Sequence, residues 1–333
     1  MDDAATSPGS LIVLAYTVRR LFSSIVLLFI GTGVVFYLTS ISSNPELLLA
    51  TCPPTRCGPE FRAEMTEMYQ LDKSIPQRYV SWLGDAVQGD LGTAVRDGRR
   101  PVTEVLGERL PKTLMLAIPA FVLTGLIAVG LGVYSAVRQY SFGDNTLTAF
   151  SFVGISMPTF FFGLLLQVFW GVWWQDWTGT RPFYVTGYHD ANFMDIVASL
   201  TLPVTTLMLV TVAGEARFGR ASMLEVINSE YIRTARAKGV SERKVIFRHA
   251  LRNALIPLVT IWALDFAALL SGSVITETVF AWPGIGSYFL RSITNYDLDP
   301  VMAIMVFTAA ITIAFNMIAD VMYGVLDPRV RYD

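Results

Sequence analysis

The stretch at residues 229–257, SEYIRTARAKGVSERKVIFRHALRNALIP, is dense in positive charge and lies between long apolar segments. Ser229 suits a helix N-cap, and Glu230 puts a carboxylate in the first turn, at the positive end of the helix dipole. Lys238 falls in the last turn. Gly239 follows at the C′ position, where a left-handed backbone favours a residue without Cβ. Ser241 and Glu242 then open a second short helix. On the first helix Tyr231, Ile232 and Ala235 share a face, and the smallness of Ala235 permits close approach by a partner. A knob that is half apolar, half cationic and set among membrane-like segments has the character of a docking element. The alternative is a basic amphipathic loop held at an anionic lipid surface.

The segments around it set the class. The chain is 53% hydrophobic and 16% charged, against about 25% charged in soluble domains. Six apolar spans approach the roughly 20 residues that cross a bilayer: about Leu21–Ile41, Leu114–Val137, Leu147–Trp170, Ile196–Ala213, Leu255–Ile275 and Val301–Val325. Spans two to four contain Pro119, Pro158 and Pro203, which membrane helices tolerate. The expectation is an all-α polytopic membrane protein of six transmembrane helices.

Charge orients it. Segments expected on one side hold fourteen Lys and Arg: Arg19 and Arg20, Arg138, nine between Arg217 and Arg252, and Arg329 with Arg331. The opposite short loops hold two, Arg181 and Arg291. The positive-inside rule therefore puts both termini and the nine-charge loop in the cytoplasm. The long segment 42–112, with nine basic and ten acidic residues, falls outside and carries two expected short helices, Glu60–Gln70 and Pro76–Val87. The first span exceeds a signal-peptide h-region and ends without a small-x-small cleavage pattern, which favours a retained anchor. The organisation reads as two regions. Residues 1–110 supply the first helix and the outer loop; residues 111–333 supply a five-helix core with a cytoplasmic loop at about 215–253.

Chemistry is sparse. There is no GxxxxGK[ST] phosphate cradle, no HExxH and no GxSxG. His189 and His249 are far apart in topology, so no metal site is expected and enzymatic turnover by this chain is not. Cys52 and Cys57, the only cysteines, lie in the outer segment, where oxidising conditions favour a local disulfide over two free thiols. Ionisable and amide residues within spans are costly. Asp265 sits mid-span, and Asn316 and Asp320 lie four apart on the last span. They either face a water-filled path or gate, or pair structurally. Glu215 either faces the same path or gate or, as the favoured reading, pairs with Arg217 or Arg220 at the interface. The aromatic run from Phe160 to Trp177 reads as an interface belt and packing surface.

The docking stretch resembles the coupling loop of ATP-binding cassette (ABC) importer permeases. Ala235 and Gly239 match the pattern Glu-Ala-Ala, three residues, Gly; Arg233 and Thr234 stand where Glu-Ala is usual, and Ile256-Pro257 comes late. YIRTARAKG with RHALRNALIP is similar to the peptide/nickel branch and its B-type permease subunits. ERLPKTLMLAIPA (108–120), ETVFAWPGIG (277–286) and LDPRVRY (326–332) extend the resemblance over nearly the whole chain. The resemblance implies a type I importer permease fold in a bacterial cytoplasmic membrane. It also implies coupling to an ATPase through Tyr231, Ile232, Ala235, Ala237 and Gly239. The implied partners are a C-type permease, two ABC ATPase subunits that use ATP and Mg, and an extracytoplasmic substrate-binding protein, with no cofactor on this chain itself. Dipeptides, longer peptides and nickel chelates are the cargo classes of such relatives. A channel would show a selectivity filter or charged rings and a secondary carrier two related halves; neither pattern is present. A nucleic-acid binder is not expected, because membrane orientation already accounts for the basic charge.

Overall fold

The computed structural model describes residues 8–42 and 58–326. Cys52 and Cys57 lie outside the described residues, as does the C-terminal LDPRVRY motif after Leu326. Helix α1 spans Pro8–Ser42. Two short helices follow, α2 at Pro59–Met68 and α3 at Ile75–Val87, close to the two expected in the outer segment. A two-residue ribbon pairs β1 (Thr93–Ala94) antiparallel with β2 (Arg100–Pro101), with Thr93 opposite Pro101. Helix α4 then runs over Val102–Val137.

The third expected span is not one straight helix. It consists of α5 (Phe142–Ser156) and a second run, Thr159–Thr178, bent from it by 105°. The second run comprises α6 (Thr159–Val168), a π-helical turn at Phe169–Trp173 and α7 (Trp174–Thr178). The break is at Met157–Pro158, both in extended backbone, with ψ of 134° and 140°. A residue before proline is pushed out of the helical region, so α5 stops there. Pro119 and Pro203, by contrast, sit inside the continuous helices α4 and α8 (Phe193–Ile227). At 35 residues, α8 is about 52 Å long and exceeds a hydrocarbon core of about 30 Å. It carries Glu215, Arg217 and Arg220 in its C-terminal half.

Helix α9 spans Glu230–Ala237, and α10 begins at Glu242 (Glu242–Lys244). The separate second short helix expected in the basic stretch is not found: α10 feeds through a π-helical turn at Val245–Ala250 directly into α11 (Leu251–Gly272). Short helices α12 (Val274–Val279) and α13 (Ile285–Thr294) precede α14 (Leu298–Leu326). Among the described residues five helical runs are long and apolar enough to cross a membrane, and the bent pair makes six. The protein is an all-α polytopic membrane protein.

Two compact units emerge, and they cut the chain differently from a division near residue 110. Residues 283–314 join residues 1–113 in the first unit. In that unit Phe36, Met65, Tyr69, Trp82 and Met302 form one core; Val102, Val105, Ile285, Tyr288 and Ile304 belong to another. Asp297 and Asp299 accept hydrogen bonds from the backbone N–H groups of Arg96 and Thr93, both 3.0 Å, and tie the ribbon to the start of α14. Gly92 beside them has φ +83°, and a Cβ there would lie 2.3 Å from the Asp299 carboxylate. Glycine is required at that position by both conformation and space. The second unit holds residues 114–282 and, among the described residues, 315–326. In it Leu116, Leu207, Leu269 and Trp282 pack together in one core.

Candidate functional site

The basic stretch folds back on its own unit. Ser229 occupies the N-cap of α9 in extended backbone, but its hydroxyl does not cap α9 and instead donates to the Val226 carbonyl in the last turn of α8 at 2.6 Å. The other end closes as a Schellman motif. Gly239 N–H bonds the Arg236 carbonyl at 2.9 Å, and Val240 N–H bonds the Ala235 carbonyl at 3.2 Å. This geometry needs a left-handed residue at C′, and Gly239 has φ +74° with nothing within 4 Å of a Cβ built there. Arg236 then reaches forward to Glu242 with bonds of 3.2 and 2.7 Å, bracing the turn. Pairing with that carboxylate raises the Arg236 guanidinium above its ordinary value.

The helix therefore has an inward face, and it holds two of the three residues expected to meet a partner, Ile232 and Ala235. Ile232 is 0% exposed. It packs in a core with Val133 and Ala136 of α4, Met223 of α8, and Val245, Ala250 and Ala254. Ala235 and Val240 are partly buried against the same core. Ile232 and Ala235 thus fasten α9 to three long helices of its own chain. Tyr231 is exposed, and its hydroxyl accepts from Asn253 Nδ2 at 2.7 Å. The surface open to a partner comprises Tyr231, Arg233, Thr234, Ala237 and Lys238.

Three further contacts bind this end of the unit. Arg220 forms an ion pair with Asp144, which is 2% exposed, and Asp144 also accepts from the Ser135 hydroxyl and from Tyr140 N–H. Residues of α4, α5 and α8 meet in that cluster. Close by in sequence, α4 and α8 cross at Gly132 and Gly219, where a Cβ on Gly132 would lie 3.0 Å from the α8 backbone. Ser222 Oγ donates to the Ala254 carbonyl at 2.8 Å, linking α8 to α11. Buried side chains from residues 133–136, 219–223, 232–235 and 245–254 share one close-packed region.

Glu215 pairs with neither expected arginine. Its Oε2 accepts from Trp262 Nε1 of α11 at 2.7 Å, while Arg220 is engaged by Asp144 and the Arg217 guanidinium lies 4.8 Å from the centre of the Phe152 ring. A tryptophan N–H satisfies a carboxylate without a second buried charge. Asp265 is half-buried and lines a cavity of about 160 Å³ with Thr159, Leu207, Thr211 and Leu269. Thr159 is the first residue after the break in the third span, so Asp265 and that break share one cavity. Thr211 faces Thr124 at 3.1 Å between hydroxyls. Asn316 is half-buried on α14, but it does not line this cavity. The Asp320 side chain lies outside the described set. Of the aromatic run, Trp173 and Trp177 are exposed. Trp170 packs edge-to-face with Phe169 and Phe183 and tilted against Trp174 at 4.8–5.1 Å between centroids, part belt and part packing.

Sequence reasoning missed Asp144 as a site residue. The available signal was its place in the first turn of α5 with Ser141 as N-cap, where the side chain accepts Asp144 N–H at 3.2 Å.

The comparisons with known proteins agree with one another. A family model described as binding-protein-dependent transport system inner membrane component matches residues 128–332, and a companion model for the N-terminal part of such proteins matches residues 13–117. The oligopeptide transport system permease protein AppB of Bacillus subtilis is 37% identical over 320 residues, covering 96% of this chain and 99% of that one. OppB of Mycobacterium tuberculosis, also named an oligopeptide transport system permease protein, is 37% identical with 95% and 98% covered. The dipeptide transport system permease protein DppB of Escherichia coli is 33% identical with 96% and 99% covered. A solved amino acid ABC transporter with histidines superposes with a TM-score of 0.52 at 14% identity. It covers 67% of this chain and 94% of that one, a likeness of fold.

Proposed function

The chain belongs to the binding-protein-dependent transport system inner membrane component family, and from that premise we propose that it carries short peptides across the membrane, driven through α9 by a separate ATPase. It is a transmembrane permease subunit of an ABC importer with the type I permease fold. Peptide cargo is the reading favoured by relatives named for oligopeptides and dipeptides at 33–37% identity over nearly the full length. The proposed assembly contains a second, C-type permease, two ABC ATPase subunits and an extracytoplasmic substrate-binding protein. This chain holds no cofactor; the ATPases hold ATP and Mg. With both termini in the cytoplasm, the nine-charge loop faces the ATPases.

The observation that carries the coupling role is the mounting of α9. Its inner face is locked by Ile232 into a core drawn from α4, α8 and the start of α11. Its outer face offers Tyr231, Arg233, Thr234 and Ala237. A force applied to the outer face moves three membrane helices together, because a close-packed block shifts as a body and does not flex. ATP-driven closure of the ATPase pair would tilt these helices and open the path outward. Asp265 and Thr159, beside the break in the third span, are the proposed polar lining of that path.

The test is reconstitution of the four membrane and ATPase subunits with the binding protein in vesicles, followed by uptake of a labelled tripeptide. Wild-type uptake that depends on ATP and on the binding protein is the expected result. Charge reversal at Arg233 should reduce ATPase capture while leaving α9 folded. Full ATPase capture and uptake by an Arg233→Glu, Ala237→Glu double variant would remove α9 as the coupling element.

A further inference from the structure

The first unit contains a cavity of about 220 Å³ that neither coupling nor the proposed path uses. It is far larger than the ≈ 10–15 Å³ that admits one water. Its wall includes Arg78 and Trp82 of α3, Asp299 of α14, and apolar surface from Phe36, Met68 and Leu298. Arg78 is 7% exposed and Trp82 9%. Nε and Nη2 of Arg78 and Nε1 of Trp82 are buried with no hydrogen-bond partner among the described residues. All three are donors and cannot accept. Leaving buried donors unmade is costly, most of all on a charged group.

Asp299 lines the same cavity and is 8% exposed, yet it makes no ion pair with Arg78. It accepts from Thr93 N–H through Oδ2. Burial lowers the Arg78 guanidinium from its ordinary value, and the charge of Asp299 acts in the opposite sense. Arg78 and Asp299 thus line one cavity without forming an ion pair. At the mouth stand exposed Asp85 and Asp90, with Gln70 bonded to Ser81 at 3.0 Å. Those rim carboxylates disfavour a simple anion.

We propose that this cavity is a binding site for an α-amino-acid zwitterion, with the ligand carboxylate on Arg78 and Trp82 and its ammonium toward Asp299. A guanidinium fork matches a carboxylate in two parallel bonds. A zwitterion supplies the acceptor that three donors lack and the cation that Asp299 lacks, without adding net charge to a buried space. The apolar wall suits a small aliphatic side chain. This site goes beyond the transport reading, and its test does not depend on the identity of the cargo.

The experiment is equilibrium binding of tritiated L-alanine to the complete transporter complex in nanodiscs, with acetate, methylammonium and dialanine as competitors. Saturable binding is expected, with poor competition from either single-charge fragment. Arg78→Gln and Asp299→Asn should each weaken it at least about tenfold, since a hydrogen bond to a charged group is lost. Ser81→Phe, at the partly exposed mouth, should block entry while leaving both buried charges in place; it decides the matter if either buried variant fails to assemble. Several results would overturn the proposal: no saturable binding to the wild type, acetate as effective as L-alanine, dialanine binding without alanine, or undiminished binding in assembled Arg78→Gln or in Ser81→Phe.

Discussion

Arg220 holds Asp144 through two hydrogen bonds of 3.0 Å, from Nε to Oδ1 and from Nη2 to Oδ2. The carboxylate is buried and the guanidinium about one-third exposed. The pair bridges α5 and α8 at the end of the unit where α9 is mounted. Its removal therefore bears on coupling as well as on stability. Arg220→Ala leaves a buried carboxylate with only Ser135 and Tyr140 N–H as donors. A loss of about 2–3 kcal/mol is expected, read as a lower unfolding midpoint in detergent. The double Asp144→Ala, Arg220→Ala variant should be less damaged than the sum of the singles, and strictly additive losses would mean the two residues do not interact.

Gly239 tests backbone against space. Nothing lies within 4 Å of a Cβ there, so the objection to a side chain is purely the positive φ. Gly239→Val should cost about 1–2 kcal/mol in the turn, while Gly239→Asn, which tolerates the left-handed region, should cost less. Uptake should follow that order, glycine above asparagine above valine. Equal uptake by all three would show that the Schellman turn does not govern the position of α9.

Ile232 and Ala237 separate attachment from recognition. Ile232→Ala should destabilise the block by about 2–4 kcal/mol and expose the 230–238 segment to limited proteolysis. Ala237→Glu should leave proteolysis unchanged and reduce ATPase capture. Ala235→Glu should behave like Ile232→Ala, because Ala235 is partly buried against the core. Normal proteolytic resistance in Ala235→Glu together with lost ATPase binding would instead return Ala235 to the partner-facing surface.

Asp265→Asn removes charge while keeping size and hydrogen-bonding capacity at the cavity beside the third-span break. Reduced peptide uptake with normal subunit assembly is expected. Glu215→Gln should be milder, since an amide oxygen still accepts from Trp262 Nε1. If Asp265→Asn transports at the wild-type rate and Glu215→Gln does not, the polar element of the path lies at the Glu215–Trp262 contact.

What the amino-acid sequence determined by itself was local. Runs of apolar residues located the spans, because hydrophobicity over about 20 residues needs no partner to be legible. Gly239 announced its left-handed turn, since backbone sterics act within one residue. The motifs of the 229–257 stretch, together with ERLPKTLMLAIPA, ETVFAWPGIG and LDPRVRY, carried the family. Even the third-span break was locally encoded at Met157–Pro158, although a tolerant rule for membrane prolines hid it. The tertiary structure alone decided which partners meet. Arg220 finds Asp144 across 76 positions of sequence, Glu215 finds Trp262 across 47, and Arg78 and Asp299 line one cavity from distant helices. It also decided that Ile232 faces inward, because the apolar face of a short helix is equally suited to its own core or to another protein. Side-chain pairing energies depend on distance and burial, and neither is a property of a residue until the helices have packed.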